Sequence, residues 1–198
     1  MEFQGVTFVG STVDDRETFD RLPPELQQFL EQANGLVAYY GGLHIRGACV
    51  EPTWNSLRVV WNGPDAFHVR YDAVDEADVP FAQDGVGDQW LLRNGKVVRL
   101  LAETGDLEET GLSFGEFLTA VEQTPIDTLG LQPLMQFQSD GGRLEPGQLL
   151  NVYPPFCTAE AAAGVSLGAV PVVERLAFLA DLAAQLPADG QFRVRFVD

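Results

Sequence analysis

The side chains that most often build metal and catalytic sites are scarce in this sequence. Among 198 residues there are 2 cysteines and 2 histidines. Cys49 and Cys157 lie far apart and form no C-x-x-C pair, so neither a common zinc or redox spacing nor a disulfide framework is present. His44 and His68 follow no metal-binding spacing, and we expect both to be surface or hydrogen-bonded histidines. No nucleophile elbow accompanies them, which argues against a serine hydrolase.

Basic residues are also few. Twelve Lys and Arg stand against 29 Asp and Glu, which gives a formal net charge of −17. Such a chain repels nucleic-acid phosphates and anionic lipids and attracts basic surfaces, for example the basic cleft of a nuclease. We therefore expect a basic protein partner, with no nucleic acid and no membrane. The alternative is that the acidity only keeps the protein soluble.

Long apolar runs are missing as well. No stretch reaches the roughly 18 apolar residues that a membrane span requires. The first ten residues lack the basic start and apolar segment of a signal peptide, so we expect a cytoplasmic protein. The length suits one domain with a core large enough to fold without disulfides or metal.

Two helices and a hairpin are well signalled in the first two thirds of the chain. A helix is predicted from Pro24 to Asn34-Gly35, where proline starts it and glycine stops it. Ser113 and Glu116 form a capping box before a second amphipathic helix. Between these helices, Asn94-Gly95 predicts a tight hairpin turn. The strands of that hairpin are predicted at 89–92 and 96–101.

Other elements are predicted from weaker patterns. Residues 36–40 and 43–45 indicate short strands, and the spacing of Trp54, Leu57 and Trp61 favours a helix. Residues 67–71 would either extend that helix or turn into a strand. The order of elements predicts an α+β fold with a central antiparallel sheet flanked by helices.

The last third has a different texture. Residues 125–170 are rich in proline and glycine, and only a short helix at 131–137 is indicated there. A strong amphipathic helix follows Pro171, and residues 191–197 alternate as a final strand. We predict a first domain over residues 1–124 and a C-terminal helix-plus-strand extension over 125–198 that packs on the same domain.

The segment Asp84-Gly85-Val86-Gly87-Asp88 resembles a ligand-binding loop at first sight. It lacks the lysine and Ser/Thr of a P-loop and the spacing of a calcium loop, and a strand rather than a helix follows it. We predict a glycine-dependent turn in which the aspartates accept hydrogen bonds from backbone amides. No metal, cofactor or catalytic residue is therefore predicted.

Acidic residues cluster in loops, and two clusters are candidates for a partner-binding surface. A solvated face is the simplest interpretation, and docking of a basic partner is the alternative. The candidate residues are Asp72, Asp75, Glu76, Asp78, Glu103, Asp106, Glu108 and Glu109.

Several of these segments resemble one known superfamily. Residues 23–35 resemble the opening helix of the SUKH superfamily, the group that contains fungal cell-wall regulators of the Smi/Knr type. Residues 79–90, V-P-F-A-Q-D-G-V-G-D-Q-W, are similar to its central F-A-x-D-x-x-G-D-x-aromatic segment. The hairpin at Gly95-Lys96-Val97 and the helix at 113–118 follow in the expected places, so the resemblance covers about residues 22–123.

The C-terminal part resembles a branch of immunity proteins that neutralise type VI secretion DNase toxins. The similar positions are Leu144, Pro146-Gly147, Phe156, Leu167-Gly168 and the helix through Leu176, Leu179 and Leu182. Residues 164–169, G-V-S-L-G-A, depart from the usual A-L-x-L-G-G of that branch.

The resemblance implies a non-enzymatic, protein-binding α+β protein. Many bacterial members of the superfamily are immunity proteins that block a cognate toxin, often a nuclease or deaminase. The alternative that it implies is a regulatory or housekeeping interaction module, as in the fungal relatives.

Overall fold

The computed structural model describes residues 2–186, and the predicted strand at 191–197 lies outside them. The chain forms a seven-stranded antiparallel sheet in which each strand pairs with its neighbour in sequence, and a separate two-stranded sheet. The strands of the large sheet are β1 (Phe8–Val9), β2 (Leu36–Ala38), β3 (Leu43–Ile45), β4 (Val79–Asp84), β5 (Gln89–Arg93), β6 (Lys96–Leu101) and β7 (Asp106–Glu109). The small sheet contains β8 (Gln148–Tyr153) and β9 (Ser166–Pro171).

The helices flank these sheets, so the α+β prediction is confirmed. They are α1 (Arg16–Phe19), α2 (Pro24–Gln32), α3 (Leu57–Trp61), α4 (Phe67–Arg70), α5 (Phe114–Gln123), α6 (Pro125–Leu129), α7 (Gln132–Ser139) and α8 (Val172–Gln185).

The predicted hairpin and capping box are both present. Asn94 and Gly95 have φ of 51° and 75°, the left-handed values that a tight β5–β6 turn requires, and Arg93 pairs with Lys96 across it. At the start of α5, the Ser113 hydroxyl accepts from the Glu116 amide, and the Glu116 carboxylate accepts from the Ser113 amide. Local sequence signals therefore decide these two elements.

Two apolar clusters cover opposite faces of the large sheet. On one face, α2 and α5 pack Leu26, Phe117 and Leu118 against Phe81 and Trp90 of the central strands. The second cluster lies on the other face, where α4 and α8 cover β5, β6 and β7. Its buried members are Phe67, Tyr71, Val74, Leu91, Val98, Leu100 and Ala180, with Leu107 packed against them.

The single helix predicted from Trp54 to Trp61 is wrong in detail. Residues 53–55 form a 3₁₀ turn and α3 begins only at Leu57. Ser56 between them is extended, and its hydroxyl donates to the Cys49 carbonyl at 2.6 Å. Residues 67–70 form the separate helix α4, so neither expectation for them is correct.

The proline-rich segment is more regular than predicted. Pro125 and Pro133 stand in the first turns of α6 and α7, where a missing N–H costs nothing and the fixed φ suits a helix. The predicted short helix is confirmed as α7, and the helix after Pro171 is confirmed as α8. The β8–β9 hairpin was not predicted, because a loop of twelve residues joins its strands and no short turn signals it.

The C-terminal extension contacts the turn between β4 and β5 directly. The Leu150 amide donates to the Gly85 carbonyl at 2.8 Å, and Arg175 Nε donates to the Val86 carbonyl at 3.2 Å. The division into a first domain over residues 1–124 and an extension over 125–198 stays a prediction.

Candidate partner-binding surface

The structure separates the eight candidate acidic residues into two groups. Asp78 and Glu103 form ion pairs with Arg93 and Arg175. The other six have exposed side chains: Asp72, Asp75, Glu76, Asp106, Glu108 and Glu109.

Asp78 is a structural residue. It is 2% exposed and accepts from Arg93 through both oxygens, at 2.9 and 2.6 Å, and from the Asp75 amide at 2.8 Å. Its carboxylate raises the pKa of Arg93. The expectation that Asp78 lies on a docking surface is therefore wrong, because the residue closes the loop before β4.

Glu103 also points inward. Its carboxylate accepts from the Cys157 amide at 2.8 Å and lies 3.5 Å from the guanidinium of Arg175 in α8. The side chain is 13% exposed. It joins the β6–β7 turn to the C-terminal extension, so it too is removed from the candidate surface.

The two segments that carry the exposed acids contact each other near the β7 edge of the sheet. Tyr71 donates from its hydroxyl to the Ala102 carbonyl at 3.2 Å, which places the segment after α4 over the β6–β7 turn. Leu107 packs in the same apolar cluster as Tyr71. Side chains alternate along a strand, so Glu109 shares the face of Leu107, while Asp106 and Glu108 project to the opposite face.

We call this surface the acidic edge: Asp72, Asp75, Glu76, Asp106, Glu108 and Glu109. It differs from the single docking face that the sequence suggested, because carboxylates lie on both faces of one edge strand.

The two arginines beside the acidic edge are bound mainly by carboxylates outside it. Arg93 binds Asp78, with Asp75 at 3.5 Å. Arg99 lies opposite Glu108 in the strand register, yet its guanidinium binds Asp88 at 2.8 Å and Asp84 at 3.3 Å. Arg93 therefore compensates the charge of Asp75 only in part, and the charge of Arg99 is taken up by Asp84 and Asp88.

The loop at 84–88 has the structural role predicted for it. One oxygen of Asp84 accepts from the amides of Val86, Gly87 and Asp88 at 2.9–3.0 Å. Asp88 in turn accepts from the Ala102 amide at 2.8 Å. Burial beside a second carboxylate raises the pKa of Asp84 to about 7, and burial raises that of Asp88. Within residues 2–186, no group of three or more His, Cys, Asp or Glu side chains is arranged to hold a metal ion.

A cavity of about 260 Å³ beside this loop is lined by two carboxylates and a thiol, side chains of the kind found in catalytic sites. Asp88, Glu103 and Cys157 line it. Each carboxylate is already hydrogen-bonded to a backbone amide, and burial raises the pKa of the Cys157 thiol to about 11. The thiol therefore stays protonated near pH 7, where only a thiolate would act as a nucleophile.

His44 belongs to a buried polar network. Its ring contacts Asn55 at 3.0 Å and Gln83 at 3.2 Å, as expected for a hydrogen-bonded histidine. Burial, followed by the charge of Arg46, lowers the pKa of His44 to about 3. Arg46 donates to Gln83 and Gln89, both at 2.6 Å, and burial lowers its pKa to about 9. The network fixes β3 against β4 and β5.

The letters G-x-S-x-G do occur once, at 164–168, but they form no nucleophile elbow. Ser166 begins β9 rather than a helix, and its hydroxyl donates to the Tyr153 carbonyl at 3.1 Å. His44 is hydrogen-bonded to Asn55 and Gln83 instead of to this hydroxyl. The match is a coincidence of composition in a glycine-rich strand connection.

Comparison with known proteins gives the family. The model of the SMI1/KNR4 family (SUKH-1) matches residues 19–120, about half of the chain. The chain belongs to the SMI1/KNR4 family. The match contains α2, the 79–90 segment, the β5–β6 hairpin and the first part of α5, which carried the resemblance in the sequence. It ends before the extension, so the resemblance of the C-terminal part to DNase-toxin immunity proteins stays a prediction.

A solved structure shows the same fold over most of this SUKH-1 chain. The crystal structure of Atu4351 from Agrobacterium tumefaciens matches with a TM-score of 0.53 at 12% identity, and covers 87% of this chain and 81% of that one. No curated protein sequence matches. No helix within residues 2–186 has the length and apolar character needed to cross a bilayer.

Proposed function

We propose that this SUKH-1 protein is a non-enzymatic cytoplasmic immunity protein that binds and neutralises a basic toxin, such as a nuclease, through the acidic edge. The observation that carries the proposal is the exposure of six carboxylates at and beside β7, while Arg93 lies closer to the buried Asp78 than to Asp75 and Arg99 binds Asp84 and Asp88. The SUKH superfamily is one of protein-interaction and toxin-immunity domains, and membership supports a binding role.

Electrostatics favour a basic protein over other partners. A surface of one sign raises the encounter rate with an oppositely charged partner and suppresses the wrong ones. The formal charge of −17 repels nucleic acids and anionic membranes. A nuclease has to present a basic cleft to its substrate, so an acidic protein that covers the cleft would block the enzyme by occupancy alone.

The alternative is a regulatory or housekeeping interaction module of the same superfamily. One observation favours this alternative. The family model that matches is that of SMI1/KNR4, and it covers residues 19–120 but not the C-terminal extension.

The test has two steps. The protein is first used to capture partners from its native host, and the captured protein is identified and produced separately. Binding is then compared for a triple variant, Asp106→Lys, Glu108→Lys and Glu109→Lys, and for a control with the exposed acids Glu25, Glu31 and Asp127 changed to Lys. Both variants change the net charge equally.

The proposal predicts that only the acidic-edge variant loses binding, and that co-expression of the wild-type protein protects cells from the partner's toxicity. Equal effects of the two variants on binding would show that the acidic edge is not the binding surface. A captured partner without toxicity would support the regulatory alternative.

A further inference from the structure

The two sheets have four edge strands, β1, β7, β8 and β9. The outer edge of β8 lies against the β4–β5 turn through the hydrogen bond from Leu150 to Gly85, and the other three edges are protected very differently. β1 contains two residues, and β7 carries three exposed carboxylates, both of which discourage pairing with a further strand. β9 contains six residues, Ser166–Pro171, and none of them is charged. Between Glu145 and Glu174 the only charged residue is Glu160. In so acidic a chain, β9 is an edge strand without the usual protection.

The hydrogen bonds of β8 show which groups of β9 face outward. Leu150 of β8 lies opposite Ala169 of β9, yet its amide donates away from β9, to Gly85. Leu150 and Ala169 therefore form a non-hydrogen-bonded pair, in which the backbone groups of both residues point away from the shared ladder.

Leu167 and Val152 lie opposite each other two residues further along, so they also form a non-hydrogen-bonded pair. The N–H and C=O groups of Leu167 and Ala169 thus line the outer edge of β9. Within residues 2–186, these outward amides have no backbone partner beyond the β8–β9 ladder.

We propose that two copies of this chain associate through antiparallel pairing of β9 with β9 of the second copy. Two molecules of charge −17 repel each other, and the repulsion is weakest where neither surface carries charge. In an antiparallel pair about a two-fold axis, β9 of one copy pairs with β9 of the other. Two-fold symmetry is the usual symmetry of a dimer. The proposal does not depend on the function of the acidic edge.

The register follows from the outward groups. With the two-fold axis at Gly168, Leu167 of one copy faces Ala169 of the other, and the two such pairs exchange about four backbone hydrogen bonds. The two copies of Gly168 then lie directly opposite each other, with Cα atoms about 4.5 Å apart. Pro171, which has no N–H, ends the ladder.

Gly168 provides a substitution that separates pairing from folding. A Cβ atom built on Gly168 meets nothing within 4 Å, and its φ is not in the left-handed range, so side chains are tolerated in the monomer. In the dimer, Gly168→Asp would place two carboxylates opposite each other, and Gly168→Lys two ammonium groups. Like charges directly opposite destabilise strand pairs. Gly168→Ser adds a side chain without charge.

Sedimentation velocity of the full-length protein, from 1 to about 200 µM, measures the association. We expect a dimer whose dissociation constant falls with added salt, because screening reduces the repulsion between acidic copies. Gly168→Asp and Gly168→Lys should each raise that constant tenfold or more, while Gly168→Ser keeps it. At concentrations where the wild type is monomeric, all three variants should keep its melting temperature. Gly168→Cys should form an intermolecular disulfide under mild oxidation, because the expected Cα separation suits one. The exposed control Ala162→Cys should not.

Two results would overturn the proposal. One is a monomer at every concentration, whether β9 is then free or covered by residues 187–198. The other is a dimer that both charged variants at Gly168 leave unchanged, since that dimer would use a different surface.

Discussion

Gly87, in the turn between β4 and β5, lies directly against Leu179 of α8. A Cβ atom at Gly87 would be 2.6 Å from Cδ1 of Leu179, a separation that real Cβ atoms do not show. The φ of Gly87 is +108°, which also favours glycine. The central motif of the family and the C-terminal extension thus meet at a residue without a side chain.

Gly87→Val should therefore lower the free energy of unfolding by about 3 kcal/mol, from backbone strain and from displacement of Leu179. Gly85→Val should cost less. A Cβ at Gly85 would lie 3.4 Å from the Gly41 carbonyl, and no left-handed φ is required there. Urea unfolding of both variants measures the difference. Partner binding that vanishes at unchanged stability would show that the loop is a functional site.

The buried carboxylates predict a pH dependence of stability. The pKa of Asp84 is raised from 3.8 to about 7, so between about pH 4 and pH 7 the folded state binds more protons than the unfolded state. The free energy of unfolding should then fall as the pH rises through this window. The pKa of Asp15, lowered to about 2 by Arg58, acts in the opposite sense: its contribution is lost as the pH falls below about 4.

Asp84→Asn should reduce the decline between about pH 4 and pH 7, because asparagine keeps an oxygen for the loop amides and has no carboxylate to protonate. The measurement is the urea midpoint at several pH values, and the exposed Asp72→Asn is the control. An equal decline in wild type and Asp84→Asn would contradict the assignment.

The ion pair between Arg175 and Glu103 predicts a strong coupling between the body and the extension. The Arg175 side chain is 1% exposed and also donates to Asn151 at 3.2 Å. Arg175→Met should cost about 3 kcal/mol, because it leaves a largely buried carboxylate without its cation. Adding Glu103→Gln should recover part of this loss. Arg143→Met, at an exposed site, should change stability little; a similar loss there would point to an effect of net charge instead.

Charge reversal at the acidic edge should act on association kinetics. Changing Asp75, Glu76, Asp106 and Glu109 to Lys should slow association with the identified partner about tenfold and remove most of its salt dependence. Stopped-flow mixing at two salt concentrations measures both effects. If the association rate is unchanged, the partner binds elsewhere.

Sequence signals were sufficient where a local rule decides the structure. The Asn94-Gly95 turn, the Ser113–Glu116 capping box and the amide-binding Asp84 are each recognisable within a few residues. The burial of Asp78 and Glu103 was not predictable in this way, because their partners Arg93 and Arg175 are 15 and 72 residues distant. The β8–β9 hairpin was missed for a similar reason, since its loop carries no turn signal. What a loop carboxylate does depends on which arginine the tertiary fold places beside it.

The order of strands in the large sheet has a consequence for synthesis on the ribosome. Every pairing from β1 to β7 joins strands that are consecutive in sequence, so all of these contacts become available once about residue 110 has emerged. Contacts between close neighbours in sequence form quickly, whereas the contact from Arg175 to Val86 spans 89 residues. The sheet can therefore assemble before α8 exists. Until then the turn that holds Gly87 has no helix against it. The later arrival of α8 is the step that brings Arg175 to Glu103 and to the Val86 carbonyl.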